Sequence, residues 1–221
     1  MTDSPKPATS QPSSSFAQQR GGQSDADLDR IGDRLRSERV KAGISQRELA
    51  RRLQLSPSLI SQLERGLSKP SVGTLYAIVT ELNLSLDHVI RGEGYPAPAT
   101  PSREGTTASP VVRAEDRQAI ELDSGVRWEE LTATSESGVD FVHATYEVGG
   151  ATTPDNSLMR HHGREYGFVV SGKLTIQIGF ERYELGPGDS IAFDSTRPHR
   201  FCNEGDEPVH AVWFVLGNED E

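Results

Sequence analysis

Ser58, Ser61 and Gln62 carry two hydroxyls and a carboxamide, short groups that can hydrogen bond the edges of DNA bases. Arg47, Arg51, Arg52, Arg65 and Lys69 stand near them in the chain and are the side-chain types that neutralise phosphate. To act together these residues need one shared outward face, and the local pattern supplies it. Ser45 is placed to cap a helix start, with Glu48 three residues on to complete a capping box. Leu49, Ala50 and Leu53 fall on one side of that helix. Ser56 then caps a second start with Pro57 in the first helical position, Leu59, Ile60 and Leu63 face inward, and Gly66 ends it. Two short helices with a tight joint and merged apolar faces predict a helix-turn-helix. Ser58, Ser61 and Gln62 are left on the outer face of its second helix, and Ser56 at the start of that helix joins the DNA-contacting set.

The net charge of −10, from 23 Lys and Arg against 33 Asp and Glu, argues against DNA binding only if it is evenly spread. It is not. Residues 29–92 hold 11 basic and 7 acidic side chains, a net of +4, whereas residues 111–221 hold 9 and 21, a net of −12. A basic module tied to an acidic one suits a DNA-binding head on a body that phosphate repels. A single cysteine, Cys202, excludes an internal disulfide framework and fits a reducing cytoplasm. The N-terminal stretch offers Ser, Pro and Gln in place of an apolar run, so no signal peptide is expected. Apolar runs such as 211–216 are far too short to span a bilayer, and no membrane partner is expected.

Four segments follow. Residues 1–27, rich in Ser, Pro, Gln and Gly, are expected to be a disordered tail. Residues 28–92 read as the DNA-binding domain, a compact set of five helices. Its first helix carries the stripe Leu28, Ile31, Leu35 and Val40. The fourth carries Val72, Leu75, Ile78, Val79 and Leu82 behind the cap Ser71, and Leu84, Leu86, Val89 and Ile90 form a short fifth. Residues 93–110, crowded with Pro, Gly and Thr, read as a flexible linker on which the head can swing. In residues 111–221 the period changes to alternation, with strands expected at 126–131, 139–148, 166–170, 173–178, 182–185, 190–193 and 209–216. Many short strands at close spacing predict a sandwich or barrel.

From Leu28 to Ile90 the chain closely resembles the Xre/Cro-type, lambda-repressor-like head. The marks are Ser45-Gln46, Glu48-Leu49-Ala50, Leu55-Ser56, Ile60-Ser61, Leu63-Glu64-Arg65-Gly66 and Leu82-Asn83-Leu84-Ser85-Leu86. The resemblance implies that Gln46 meets backbone phosphate, that Ser58, Ser61 and Gln62 meet bases, and that Arg39 pairs with Glu64 to lock two helices together. Gln54 departs from the pattern, which usually has Gly there. A positive φ costs Gln more than Gly, so a looser or differently shaped turn is expected.

The stretch from His161 to Gly172, with Leu185 to Asp189 and Pro198-His199, resembles a cupin, a double-stranded β-helix barrel. Glu165 and Gly172 match the first cupin motif, His161 its second histidine, and His199 and Asn203 the second motif. The fold expected is therefore α plus all-β in two domains, a five-helix head on a cupin β-barrel, and the resemblance implies a homodimer. Cupin metals are typically held by three His and one Glu, but Met159 occupies the first His position here. His161, Glu165 and His199 remain, a two-His-one-carboxylate set. His162 has the wrong parity to look inward with His161. Three readings stay open: a catalytic metal, a structural or sensing divalent metal, or no metal. In the last case these residues line an effector pocket, or His199 caps a turn with Asn203. Trp128, Trp213 and Phe214 are expected in the core or a dimer interface.

Two functions follow. One is a ligand-responsive transcription factor, expected to repress, whose head reads a double-stranded DNA operator and whose cupin dimerises and senses a small-molecule effector. It is not expected to be an enzyme. The other is a mononuclear-iron oxygenase, since a repressor-like head on such a cupin also resembles hydroxypropylphosphonate epoxidase. The small polar outer face among five cations favours the regulator.

Overall fold

A computed structural model describes residues 21–84, 86–91, 110–133 and 138–217. Five helices come first: α1 (Gly21–Lys41), α2 (Gln46–Leu53), α3 (Pro57–Glu64), α4 (Val72–Glu81) and α5 (Leu86–Arg91). Ser45, Ser56 and Ser71 cap α2, α3 and α4, each accepting a bond of 3.1 Å from the backbone N–H three residues on. α1 opens at Gly21, ahead of the expected Leu28, because the added turns carry no apolar stripe to signal them. Residues 1–20, most of the expected linker and Ser85 lie outside the described residues.

Ile31 and Leu35 are buried as the stripe requires, but Val40 is 59% exposed. The inward place one turn after Leu35 belongs to residue 39. Arg39 fills it, with its guanidinium on the Glu64 carboxylate (Nη2–Oε2 2.9 Å) and on the Ile44 carbonyl (2.7 Å). Gln46 Nε2 donates to the same carboxylate at 2.7 Å. Three helices are thereby tied at one buried point. The turn between α2 and α3 corrects the expectation for Gln54. It adopts the left-handed conformation a glycine would (φ 56°, ψ 33°), and its N–H bonds the Ala50 and Arg51 carbonyls. Backbone hydrogen bonds and the packing of Leu53 and Leu55 hold the turn in shape despite the side chain.

The described residues of the second domain form nine strands: β1 (Ala119–Leu122), β2 (Val126–Glu130), β3 (Val139–Tyr146), β4 (Arg164–Ser171), β5 (Leu174–Ile178), β6 (Glu181–Leu185), β7 (Ser190–Asp194), β8 (His199–Cys202) and β9 (Val209–Leu216). One sheet runs β1-β2-β3-β9-β4-β7 and the other β6-β5-β8, all neighbours antiparallel. Their inner faces form the barrel. Two strands, β1 and β8, were not expected, because four-residue runs such as His199-Arg200-Phe201-Cys202 show too little alternation to stand out. In β4 the inward places fall to Glu165, Gly167 and Val169. A Cβ on Gly167 would lie 2.4 Å from the Trp213 ring, so glycine there lets the indole fill the barrel.

The swinging head is also corrected. Helix α4 lies on the barrel, with Gly73 N–H donating to Thr152 O at 3.1 Å and Asp123 N–H to Pro70 O at 2.8 Å. Ile120 and Trp128 of the barrel join Leu75 and Tyr76 in one continuous apolar core. That shared burial opposes free rotation of the head.

Candidate DNA-reading face and metal centre

On α3, Ser58 and Gln62 are exposed and Ser61 half-buried, while Ile60, Leu63 and Glu64 face the core. The outer face is small and polar. Arg47, Arg51 and Arg65 are exposed and Lys69 is half-buried. Arg65 donates from Nε to the Ser61 carbonyl at 3.0 Å, and Arg51 holds the Glu48 carboxylate at 2.7 Å. Arg52 is tied to two carboxylates, Glu48 and Glu81, whereas Arg51 pairs with Glu48 alone. Ser56 spends its hydroxyl oxygen as the α3 cap. Gln46 is held by Glu64, so its amide is fixed at the start of α2 rather than loose in solvent.

The barrel gathers His161, Glu165 and His199. Glu165 enters on an inward place of β4, His161 precedes that strand, and His199 opens β8 opposite Met159. All three side chains are buried, at 4%, 5% and 0% exposure. Each imidazole meets a backbone carbonyl at Nδ1, His161 with His162 O (3.1 Å) and His199 with Arg197 O (2.9 Å). With Nδ1 protonated for that bond, Nε2 is left to bind a cation. Both Nε2 atoms converge on Glu165 Oε1, at 2.8 and 3.0 Å. None of these three buried atoms makes a well-directed hydrogen bond.

Three buried ligating groups facing one another leave a place for a cation among them. Ligand atoms about 2.1 Å from an ion and at right angles to each other stand roughly 3 Å apart; Glu165 Oε1 stands so from each imidazole nitrogen, and one ligand atom from each residue lies within 4.8 Å of the others. The residues fit a divalent metal. Burial alone would raise the Glu165 carboxyl, but the two imidazoles beside it hold it down to about 2. Burial would lower His161, and the neighbouring Glu165 charge outweighs that and raises it.

His162 is exposed and takes no part. Asn203 is also outside the centre. Its Nδ2 donates to the Tyr146, Glu147 and Glu207 carbonyls and its Oδ1 accepts from Gly205 N–H, which removes the reading of His199 as its turn-capping partner. Trp128 and Trp213 are buried, and Phe214 lies on the outer face beside Tyr166. Tyr76 was missed from sequence. Its ring stacks on His161, with centroids 4.2 Å apart and planes at 4°. No short-range pattern could reveal a contact between residues so far apart in the chain.

A helix-turn-helix family model matches residues 35–89 and a cupin-domain model residues 142–215. The transcriptional regulator PuuR of Escherichia coli strain K12 is 29% identical over 174 residues, covering 78% of this chain and 86% of that protein. The crystal structure of a helix-turn-helix transcriptional regulator from Vibrio cholerae superposes with a TM-score of 0.63 at 19% identity, covering 89% of this chain and 99% of that one. Hydroxypropylphosphonic acid epoxidase from S. wedmorenis reaches only 0.44 at 17% identity, over 87% of this chain and all of that one. The chain joins an Xre-type helix-turn-helix domain to a cupin domain and is similar over most of its length to helix-turn-helix transcriptional regulators.

Proposed function

We propose that this chain is a sequence-specific DNA-binding transcriptional regulator, a repressor, whose cupin domain dimerises and senses a small-molecule effector. The observation that carries it is the outer face of α3, where Ser58, Ser61 and Gln62 stand clear of the core while the Arg39–Glu64 pair fixes the helix behind them. A helix used only for packing has no need of such a face. Arg47, Arg51, Arg65 and Lys69 supply phosphate contacts, and Ser56 and Gln46 set the approach of α3 and α2.

Dimerisation is supported by Tyr166, Phe168 and Val170, 40–50% exposed on the outer face of β4. Tyr166 and Phe168 line an apolar patch with Ile191, Val212 and Phe214 that a second copy would cover. Two heads on such a dimer read two half-sites of a pseudo-palindrome. In the barrel, His161, Glu165 and His199 would hold a divalent metal, which supplies a Lewis-acidic centre with open positions for an anionic or chelating effector. The iron-oxygenase reading uses the same three residues, but no enzyme needs the α3 face. No helix among the described residues is long and apolar enough to cross a membrane, which suits a cytoplasmic regulator.

Selection of bound fragments from genomic DNA by the full-length protein tests this reading. One enriched palindromic motif, lost at high salt, is the expected result. Uniform recovery of all fragments overturns it.

A further inference from the structure

Helix α4 belongs to both halves of the molecule. In the head it packs against α2 and α5, and through Gly73 and Tyr76 it meets the barrel. Gly73 makes the close approach possible, since a Cβ there would stand 2.9 Å from Thr153 Cγ2 and 3.5 Å from Met159 Cβ. One turn on, Tyr76 reaches over the centre. Its hydroxyl donates to Asp140 Oδ2 at 3.3 Å, its ring stands edge-on to Trp128 at 5.8 Å, and its face covers His161.

His161 is therefore held by its Nδ1 bond to His162 O, by an edge contact with His199 at 5.3 Å and by Tyr76 on its face. The first two belong to the barrel. The third comes from the DNA-binding domain, and withdrawing the head withdraws it. Residues that orient a ligating imidazole commonly change metal affinity by about 10- to 100-fold.

We infer that Tyr76 is a positioning residue for the metal centre, so that metal binding at His161, Glu165 and His199 and docking of the head on the barrel strengthen each other. This rests on the metal-binding reading of those three residues. The coupling is reciprocal by necessity: whatever factor docking adds to metal affinity, bound metal adds to docking. Occupancy of the barrel is thereby converted into a fixed placement of α3, and in a dimer into a fixed spacing of two reading helices.

The test uses the full-length chain and Co(II) alone as probe, with affinity read from its visible absorption and amide hydrogen exchange followed with and without the metal. Tyr76→Ala is expected to weaken Co(II) binding by about 10- to 100-fold, while Tyr76→Phe, which keeps the stacked ring, stays near wild type. Gly73→Leu leaves Tyr76 intact but wedges α4 from the barrel, and is expected to weaken binding similarly. In the wild type, Co(II) is expected to slow exchange across Val72–Glu81. Unchanged affinity in Tyr76→Ala and Gly73→Leu, with α4 exchange indifferent to Co(II), overturns the inference. Should Tyr76→Ala fail to fold, the wild-type exchange result alone decides. A wild-type chain that binds no Co(II) removes the metal reading and the coupling together. One that binds it, with both variants unaffected, removes only the role of Tyr76.

Discussion

Each half of this molecule buries a carboxylate among cationic or cation-seeking partners, and the two arrangements differ in one respect. In the head, Glu64 is closed on every side, by two guanidinium bonds from Arg39 and an amide bond from Gln46. In the barrel, Glu165 faces two imidazole nitrogens with no well-directed hydrogen bond among the three atoms. Buried polar groups are almost always satisfied, so a complete set reads as architecture and an incomplete one as a place for something else. The first cluster holds α3 still. The second is a candidate metal centre.

This contrast predicts opposite outcomes from similar substitutions. Glu64→Ala leaves Arg39 buried and unpaired, and should cost about 3–5 kcal/mol of stability, measurable by urea denaturation, with DNA binding lost as α3 loosens. Glu165→Gln and His199→Ala should do the reverse. The fold and DNA binding persist, the effector response is lost, and Co(II) or Zn(II) affinity falls by at least about 100-fold on titration. Loss of DNA binding in His199→Ala would turn that residue from a sensor into a folding element.

Smaller effects test the reading face. Gln62→Ala should relax base preference at one operator position by about 1–3 kcal/mol in footprinting, without changing the salt dependence. Arg51→Ala should weaken binding to all sequences and reduce the slope of log affinity on log salt by about 1. Gln54→Gly should raise stability by about 1 kcal/mol, because the left-handed conformation at φ 56° strains any residue with a Cβ.

Most of the architecture was legible in the sequence because it rests on local chemistry. Ser45, Ser56 and Ser71 announce three helix starts by a hydroxyl set before an apolar run, and each makes the cap its position implies. The alternation of β4 aims Glu165 inward and its neighbours outward, as the pleat requires. What escaped notice depends on tertiary balance. Val40 looks like a core residue until Arg39 is known to occupy the inward turn. Gln54 takes a glycine's conformation only because the backbone bonds and packing around it outweigh the strain. β8 is four residues long and carries an Arg between inward-facing His199 and Phe201. Tyr76 reads as one more apolar place in α4, and its contact with His161 exists only because Gly73 admits the barrel so closely.

The central claim is that the small polar face of α3 reads DNA and that the barrel serves it. The most direct test is selection of genomic fragments by purified full-length protein, with bound metal measured on the same sample. Enrichment of one pseudo-palindromic motif, with the preference altered by Gln62→Ala, is the predicted result. No enrichment, together with near-stoichiometric iron, would contradict the account and make the chain an oxygenase with a repressor-like head.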